Sequence, residues 1–411
     1  MSQAEESLVS LYEGLRVLDL ASNLAGPLAA MVLGDLGADV VKVERPDCGD
    51  DTRDLVPRWD GQGTVFLSVN RNKRSVGLDL ASDQGREALL ALVETADVVI
   101  ESFGPGVAER LGIAYERLHE RNPAVIHCSV SAFGQGPAGR RRPGYDALVQ
   151  GFSGMLSITG HPDGPPARVA PSSIDLATGL WAVIAIQAAL ARRGDTGEGT
   201  HIDVALLDTA FNLMGHQVLG MLATGVPTPR YGTESPSSTP NGAYETADGW
   251  LVVATANDRL FDRLCQALEL PEVAADPRYT STEKRVAARE ELQTILRARF
   301  RQRTTEDWIE RLRSAGVPVG PLHDLRQALE DPLTVERRLL VVPPGGDRAE
   351  PIPQLRTPID PTGMSIRRPP PAVGEHTREV LSEVGLPEEL VRRLAVIRKA
   401  ALPDPDETDR E

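Results

Sequence analysis

Residues 15–44 hold a strand pattern, a helix pattern and a second strand pattern with almost nothing between them: "LRVLDL" (15–20), "AGPLAAMVLGDLG" (25–37) and "ADVVKVE" (38–44). Pro27 falls near the first turn of the helical stretch and Gly37 at its C-terminal end, the positions where proline and glycine start and stop helices. Two strands joined through a helix run parallel. A parallel sheet in turn needs helices over both faces. The chain is therefore confined to α/β architectures. The pattern recurs in "SVGLDL" (75–80), a helical stretch 83–95, "ADVVIESF" (96–103), a helical stretch near 114–121 and "AVIHCSVSAF" (124–133). The expected fold is a large Rossmann-like domain with a parallel sheet, followed by a smaller α+β domain.

At 411 residues the chain exceeds one ordinary core. The composition shifts at "TGVPTPRYGTESPSSTPNG" (224–242), rich in proline, serine, threonine and glycine. The expected layout is a first part of the large domain at 1–223 and a linker at 224–241. A small domain follows at 242–335, opening with a hairpin across "ADG" and carrying helices near 258–269, 288–301 and 305–314. A return linker at 336–373 then leads to a C-terminal helical segment at 374–400 that rejoins the large domain. Residues 401–411 are expected to be a disordered acidic tail. The segment "SPSSTPNG" (235–242) reads as a plain linker or as a lid over a site.

The net charge of −15 argues against nucleic acid as a partner. It also requires any anionic ligand to find a local basic pocket. Three widely spaced cysteines and the lack of a basic, then apolar, N-terminal stretch fit a cytoplasmic protein. No apolar run looks long enough to span a bilayer, since "LWAVIAIQAAL" ends at Arg192 and Arg193. The seven histidines show no metal-ligand spacing, so no metal site is expected.

"GQGPAG" (134–139) matches the dinucleotide pattern G-x-G-x-x-G, but Pro137 and the following "RRRPG" do not open a helix on those glycines. It reads as a turn. Arg45, Arg71, Lys73, Arg74 and Arg110 read as lying just after strands or in the next turn, where an open parallel sheet has its ligand crevice. They are either phosphate-holding cations or ordinary surface charges. Asp175, in "PSSIDLATG" (171–179), precedes a long apolar helical run. Locally it reads as a helix N-cap, a role compatible with chemistry because a helix N-terminus favours a carboxylate anion.

Taken in order, "GLRVLDLASNLAGPLAAMVLGDLGADVVKVERP", "NRNKRSVGLDL", "ADVVIESFGPGVAERLG", "NPAVIHCSVSAFGQGP", "GYDALVQGFSG", "GEGTHIDVALLDTA", "GAYETADGWLVVA", "AGVPVGPL" and "GEHTREVL" resemble the class III CoA-transferases from about residue 13 to 387. The resemblance implies transfer of coenzyme A from an acyl-CoA to a small carboxylic acid, with CoA thioesters as substrates and no tightly bound cofactor. It implies an interlocked-ring homodimer. Asp175 occupies the position of the family's catalytic aspartate. Asn23, Leu24, Arg45, Ser102, Phe103, Gly104, Arg110 and Tyr145 fall at CoA-contacting or site-lining positions, to which the basic residues Arg71, Lys73 and Arg74 are added as candidates.

The chain departs from the family pattern in places. Ala81 and Pro143 stand where some members have CoA-holding lysines, with Arg140–Arg142 nearby as substitutes. "ESPSSTPNG" replaces the glycine loop of formyl-CoA transferases, which turns the expectation away from formate and oxalate. The related α-methylacyl-CoA racemases use a histidine where Tyr145 stands, and a tyrosine of pKa near ~10 is a poor base at neutral pH. A racemase and a non-catalytic acyl-CoA-binding protein remain the alternatives, and a nicotinamide dehydrogenase ranks below both.

Overall fold

The computed structural model describes residues 9–344, 351–360 and 362–395. The chain separates into two units. The larger comprises residues up to Ser153, Ala170–Leu213 and the chain from Arg337 onward; the smaller comprises Gly154–Val169 and Met214–Glu336.

The larger unit is built on six strands: β1 (Arg16–Asp19), β2 (Asp39–Glu44), β3 (Lys73–Gly77), β4 (Val98–Glu101), β5 (Ile126–Ser131) and β6 (Thr200–Ala205). They form one sheet in the order β3-β2-β1-β4-β5-β6, every neighbouring pair parallel. This is the doubly wound order of dinucleotide-binding folds, whose ligand crevice lies beyond the strand C-termini, where the winding reverses between β1 and β4. Most strand residues are buried, as expected when helices cover both faces. One apolar core packs Leu18, Val41, Val76 and Val99 of the sheet against Leu89, Leu92 and Val93 of α2 (Asp83–Val93), with Val380, Leu381 and Val391 from the chain's C-terminal helices.

Helix α1 (Ala25–Asp35) follows β1 directly. The helices α3 (Val107–Leu111), α4 (Tyr115–Arg121), α5 (Asp146–Phe152) and α6 (Ser173–Thr196) complete the part that bears on function. Helix α6 has 24 residues and is long and apolar enough to cross a membrane by length and composition. That corrects the expectation of no such run: the helix extends beyond the uncharged stretch at both ends. Its residues Ile174, Thr178, Ala182, Ile186 and Ala189 form a buried stripe at helical spacing. α6 crosses α1 so closely that a Cβ on Gly179 would lie 2.6 Å from the carbonyl oxygen of Ala25.

The smaller unit pairs strands Asn241–Glu245, Trp250–Ala254 and Val319–Pro321 in an antiparallel sheet. Helices at Asp258–Ala267, Arg289–Phe300 and Thr305–Ser314 bury Phe261, Leu296, Phe300 and Trp308 against Tyr244, Leu251 and Val253.

The division differs from the sequence expectation in four places. Residues 154–169 and the helix Gly215–Thr224 belong to the smaller unit. The Pro/Ser-rich stretch 224–241 is built into that unit rather than strung between domains: Glu234 pairs with Arg289 and Arg297, and Thr239 is buried. The return stretch is likewise bound in place within the larger unit. Asn72 Nδ2 donates to the Ser365 carbonyl at 2.7 Å, and Arg53 Nη1 to the Pro371 carbonyl at 3.0 Å. Composition detects segments without regular structure, but not the side-chain bonds that anchor them. The expected acidic tail at 401–411 lies outside the described residues.

Candidate active site

The turns after β1, β4 and β5 converge on a cleft of about 270 Å³. Asn23 and Leu24 enter it from the β1–α1 turn, Ser102, Phe103 and Gly104 from the turn after β4, and Tyr145 from the segment before α5. Asp175, half-buried in the first turn of α6, lines the same cleft. A neighbouring cavity of about 330 Å³ shares Ser22, Asp51 and Phe103 with it and extends over the ends of β2 and β3, past Arg45, Asp79 and Ala81. The two cavities adjoin, and Asp175 lines the first of them.

The floor of the cleft is held without a glycine-rich loop. Asn23 takes a left-handed backbone (φ 66°), a conformation asparagine adopts more readily than most residues. The turn is tied from both sides: Ala21 N donates to Asp19 Oδ1 (3.1 Å), Lys42 Nζ to the Ala21 carbonyl (2.9 Å), and Ser22 N to Ser102 Oγ (2.9 Å). Phe103 N in the second turn donates to Glu101 (2.7 Å). Burial raises the Glu101 carboxyl above its usual range, against the bonds from Ser129 and Phe103.

The family model for CoA-transferase family III matches residues 12–377. The chain belongs to CoA-transferase family III. It is 40% identical over 380 residues to succinate–glutarate CoA-transferase of Agrobacterium fabrum, covering 90% of this chain and 95% of that one. It is 39% identical over 331 residues to acetyl-CoA:oxalate CoA-transferase of Acetobacter aceti, covering 80% and 85%. A crystal structure of a CAIB/BAIF family protein from Brucella suis superposes with a TM-score of 0.80 at 38% identity, covering 91% of this chain and 99% of the other.

In this family III CoA-transferase the remaining candidate cations divide sharply. Arg45 lines the second cavity, ion-paired with Asp51 and bonded to the Gly49 carbonyl. Arg110 sits on α3 beside Leu111 of that cavity, with its guanidinium next to Gly106. Arg71, Lys73 and Arg74 are not at the crevice. They lie at or just before the start of β3, about 10 to 20 Å of strand away from its C-terminal end. All three are buried and paired: Arg71 with Asp35 (2.5 Å), Lys73 with Asp19 (2.7 Å), and Arg74 with Asp39 (2.6 Å) and Glu383 (2.6 Å). The strand begins two residues earlier than the sequence pattern places it, which turns these side chains into structural ions.

Asp19 pairs with both Lys73 and Lys42, Lys42 pairs in turn with Asp50, and all four are buried. Burial pushes the Lys73 ammonium down to about 8, outweighing the attraction of Asp19. Burial acts on Lys42 in the same direction, yet Asp19, Asp50 and Glu44 together raise it. Burial opposes ionisation of Asp50, but Lys42 and the bonds from Thr52 hold it low.

The residue that sequence reasoning missed is Asp146. Helix α6 begins at Ser173, and Asp175 is its third residue rather than its N-cap. The N-cap position is Ser172, whose side chain makes no capping bond. The buried carboxylate of Asp146 does the capping instead, accepting from Ile174 N (3.0 Å) and Asp175 N (3.3 Å). Gln150 Nε2 steadies it at 2.6 Å. The only signal in the sequence is that an acid follows Tyr145, 28 residues before the helix it caps.

Proposed function

We propose that Asp175 is the covalent nucleophile of this CoA-transferase, and that the acids exchanged are small dicarboxylic acids. The observation that carries the first part is the position of Asp175, in a cleft at the strand C-termini that adjoins a second cavity lined by Arg45. The relatives named for succinate, glutarate and oxalate support the second. A relative named for oxalate weighs against turning this chain away from that acid.

An aspartate with reference pKa near ~3.9 is ionised at neutral pH and needs no base. Its oxygen attacks the thioester carbonyl, the C–S bond breaks, and CoA leaves as thiolate, giving an aspartyl–acyl anhydride. The thiolate attacks the aspartyl carbonyl and expels the donor carboxylate, leaving an aspartyl-CoA thioester. The acceptor carboxylate repeats the first step in reverse sense, releasing thiolate and forming a second anhydride. Thiolate attack on the acceptor's acyl carbon yields the new acyl-CoA and frees Asp175. Every step exchanges one activated acyl bond for another, so the cycle needs no ATP. Because anhydrides hydrolyse readily, the reactants must be held in contact and away from bulk water. Backbone amides at the start of α1, where Ala25 and Gly26 line the cleft, would stabilise the tetrahedral oxyanion. Arg45 would hold a CoA phosphate in the second cavity.

The test is to mix the protein with an acyl-CoA and quench during turnover. Mass spectrometry is expected to find the peptide containing 171–179 heavier by CoA less one water. If that peptide stays unmodified throughout turnover, covalent catalysis by Asp175 is ruled out.

The homodimer belongs to the same proposal. Leu180, Trp181 and Ile184 on the outer face of α6 are exposed, together with Leu148, Phe152, Phe211 and Leu213 of the same unit. An apolar surface of this extent asks for a partner, and a second copy of the chain is the occupant proposed. Sedimentation is expected to give a dimer for the parent protein and a monomer for the double variant Trp181→Glu, Ile184→Glu. A parent protein that sediments as a monomer would remove the dimer.

A further inference from the structure

We propose that Arg140 and Arg142 form a carboxylate-selecting end of the catalytic cleft and hold the carboxylate of a diacid that is remote from the reacting carbonyl. The proposal rests on reading the cleft as the site of CoA transfer. Both arginines line the cavity that contains Asp175. Among the described residues neither is ion-paired with an acid, although acids outnumber basic residues by 59 to 44. In the same unit Arg45, Arg53, Arg71 and Arg74 all have carboxylate partners. Two exposed guanidiniums without a carboxylate partner thus line the cleft that also holds Asp175, and their field favours an anion that the whole protein would repel.

The turn presenting them is a built one. Gly134 N donates to Ser131 Oγ (3.0 Å) and Gln135 N to Asp203 Oδ2 (2.9 Å), fixing the turn to β5 and β6. Arg140 N and Arg142 N donate to the carbonyls of Gly136 (2.9 Å) and Gly139 (2.8 Å). A Cβ on Gly139 would fall 1.9 Å from the Phe133 carbonyl, so the turn cannot be made without glycine there. The Arg142 guanidinium lies 5.7 Å from the centre of the Phe152 ring, which restricts where it can point. A planar guanidinium grips a carboxylate through paired N–H donors. A monocarboxylic acid of the same length offers no such partner.

CoA phosphates are the other anions that could meet these arginines, and kinetics separates the two. CoA is common to every reaction, so a phosphate contact affects all acids alike. A contact to the remote carboxylate affects only diacids. The experiment compares glutarate with pentanoate as acceptors, using one acyl-CoA donor, for the full-length parent, the double variant Arg140→Gln, Arg142→Gln and the matching lysine double variant. The glutarate-to-pentanoate ratio of kcat/KM is expected to fall by about 10- to 100-fold in the glutamine variant, the loss of one charge-assisted bond pair, and to recover in part with lysine. An unchanged ratio overturns the proposal, whether or not the KM for the acyl-CoA rises. Calorimetric binding of glutarate and pentanoate to the CoA-loaded protein reads the same preference without turnover. If the parent transfers CoA to neither acid, the transfer reading fails. In that case the proposal stands or falls on whether glutarate binding weakens in the variant.

Discussion

Replacing Asp175 by alanine is expected to lower kcat for CoA transfer on the order of 10⁴-fold or more, with the protein still folded. The size of the loss follows from the chemistry. Without the carboxylate there is no covalent carrier, and direct attack of an acceptor acid on the thioester needs two substrates held together in a site shaped for one at a time. The fold survives because the start of α6 is capped through the backbone amides of residues 174 and 175, bonded to Asp146. Alanine keeps both amides. Asp175→Asn should be equally inactive, since an amide is no nucleophile. Steady-state transfer rates, read beside thermal unfolding, decide the matter. A variant that retains transfer within tenfold of the parent would show the nucleophile to be elsewhere.

Asp146→Ala is expected to damage the enzyme by a different route. The substitution removes the buried carboxylate to which two helix amides and Gln150 Nε2 donate. Loss of a cap costs up to ~2 kcal/mol and an unsatisfied buried donor about 1–3 kcal/mol. Unfolding free energy should therefore drop by about 2–3 kcal/mol. The first turn of α6 carries Asp175, so fraying it misplaces the proposed nucleophile, and kcat should fall on the order of 10²-fold at temperatures where the variant is folded. Asp146→Asn retains one acceptor oxygen and should lie between. Denaturant melts and transfer rates measured on the same samples separate stability from positioning. If Asp146→Ala melts early but turns over at the parent rate, Asp146 only stabilises the helix.

The β-α-β periodicity was legible because it is local. The strands and main helices of the large unit declare themselves within about ten residues, and parallel pairing follows from the connections. The cleft was legible for the same reason, since the turns after β1 and β4 lie where the strand patterns stop. What stayed hidden depends on pairs distant in the chain. Lys73 looks like a free cation until Asp19, 54 residues away, is placed beside it. Arg74 finds Glu383 across 309 residues. Asp146 gives no local sign of capping a helix 28 residues later. Charged residues at strand starts and strand ends look alike in a sequence when the strand boundary is uncertain by two residues. Only the register of β3 against β2 separates them, with Lys73 facing Val40.

The quartet of Lys42, Lys73, Asp19 and Asp50 has a consequence for how such a site can diverge. Two cations and two anions cancel, and none is exposed to water that could compensate a missing charge. Breaking one buried pair by removing a single partner costs about 3–5 kcal/mol, whereas removing both partners together can be nearly neutral. A mutational walk through these four positions must therefore move in balanced doubles, and a library of single substitutions will find them almost closed. The cavity walls, with Arg45, Tyr145 and the arginine turn, carry no such constraint. New acid preferences can accordingly be explored there while the buried quartet is passed on as a block.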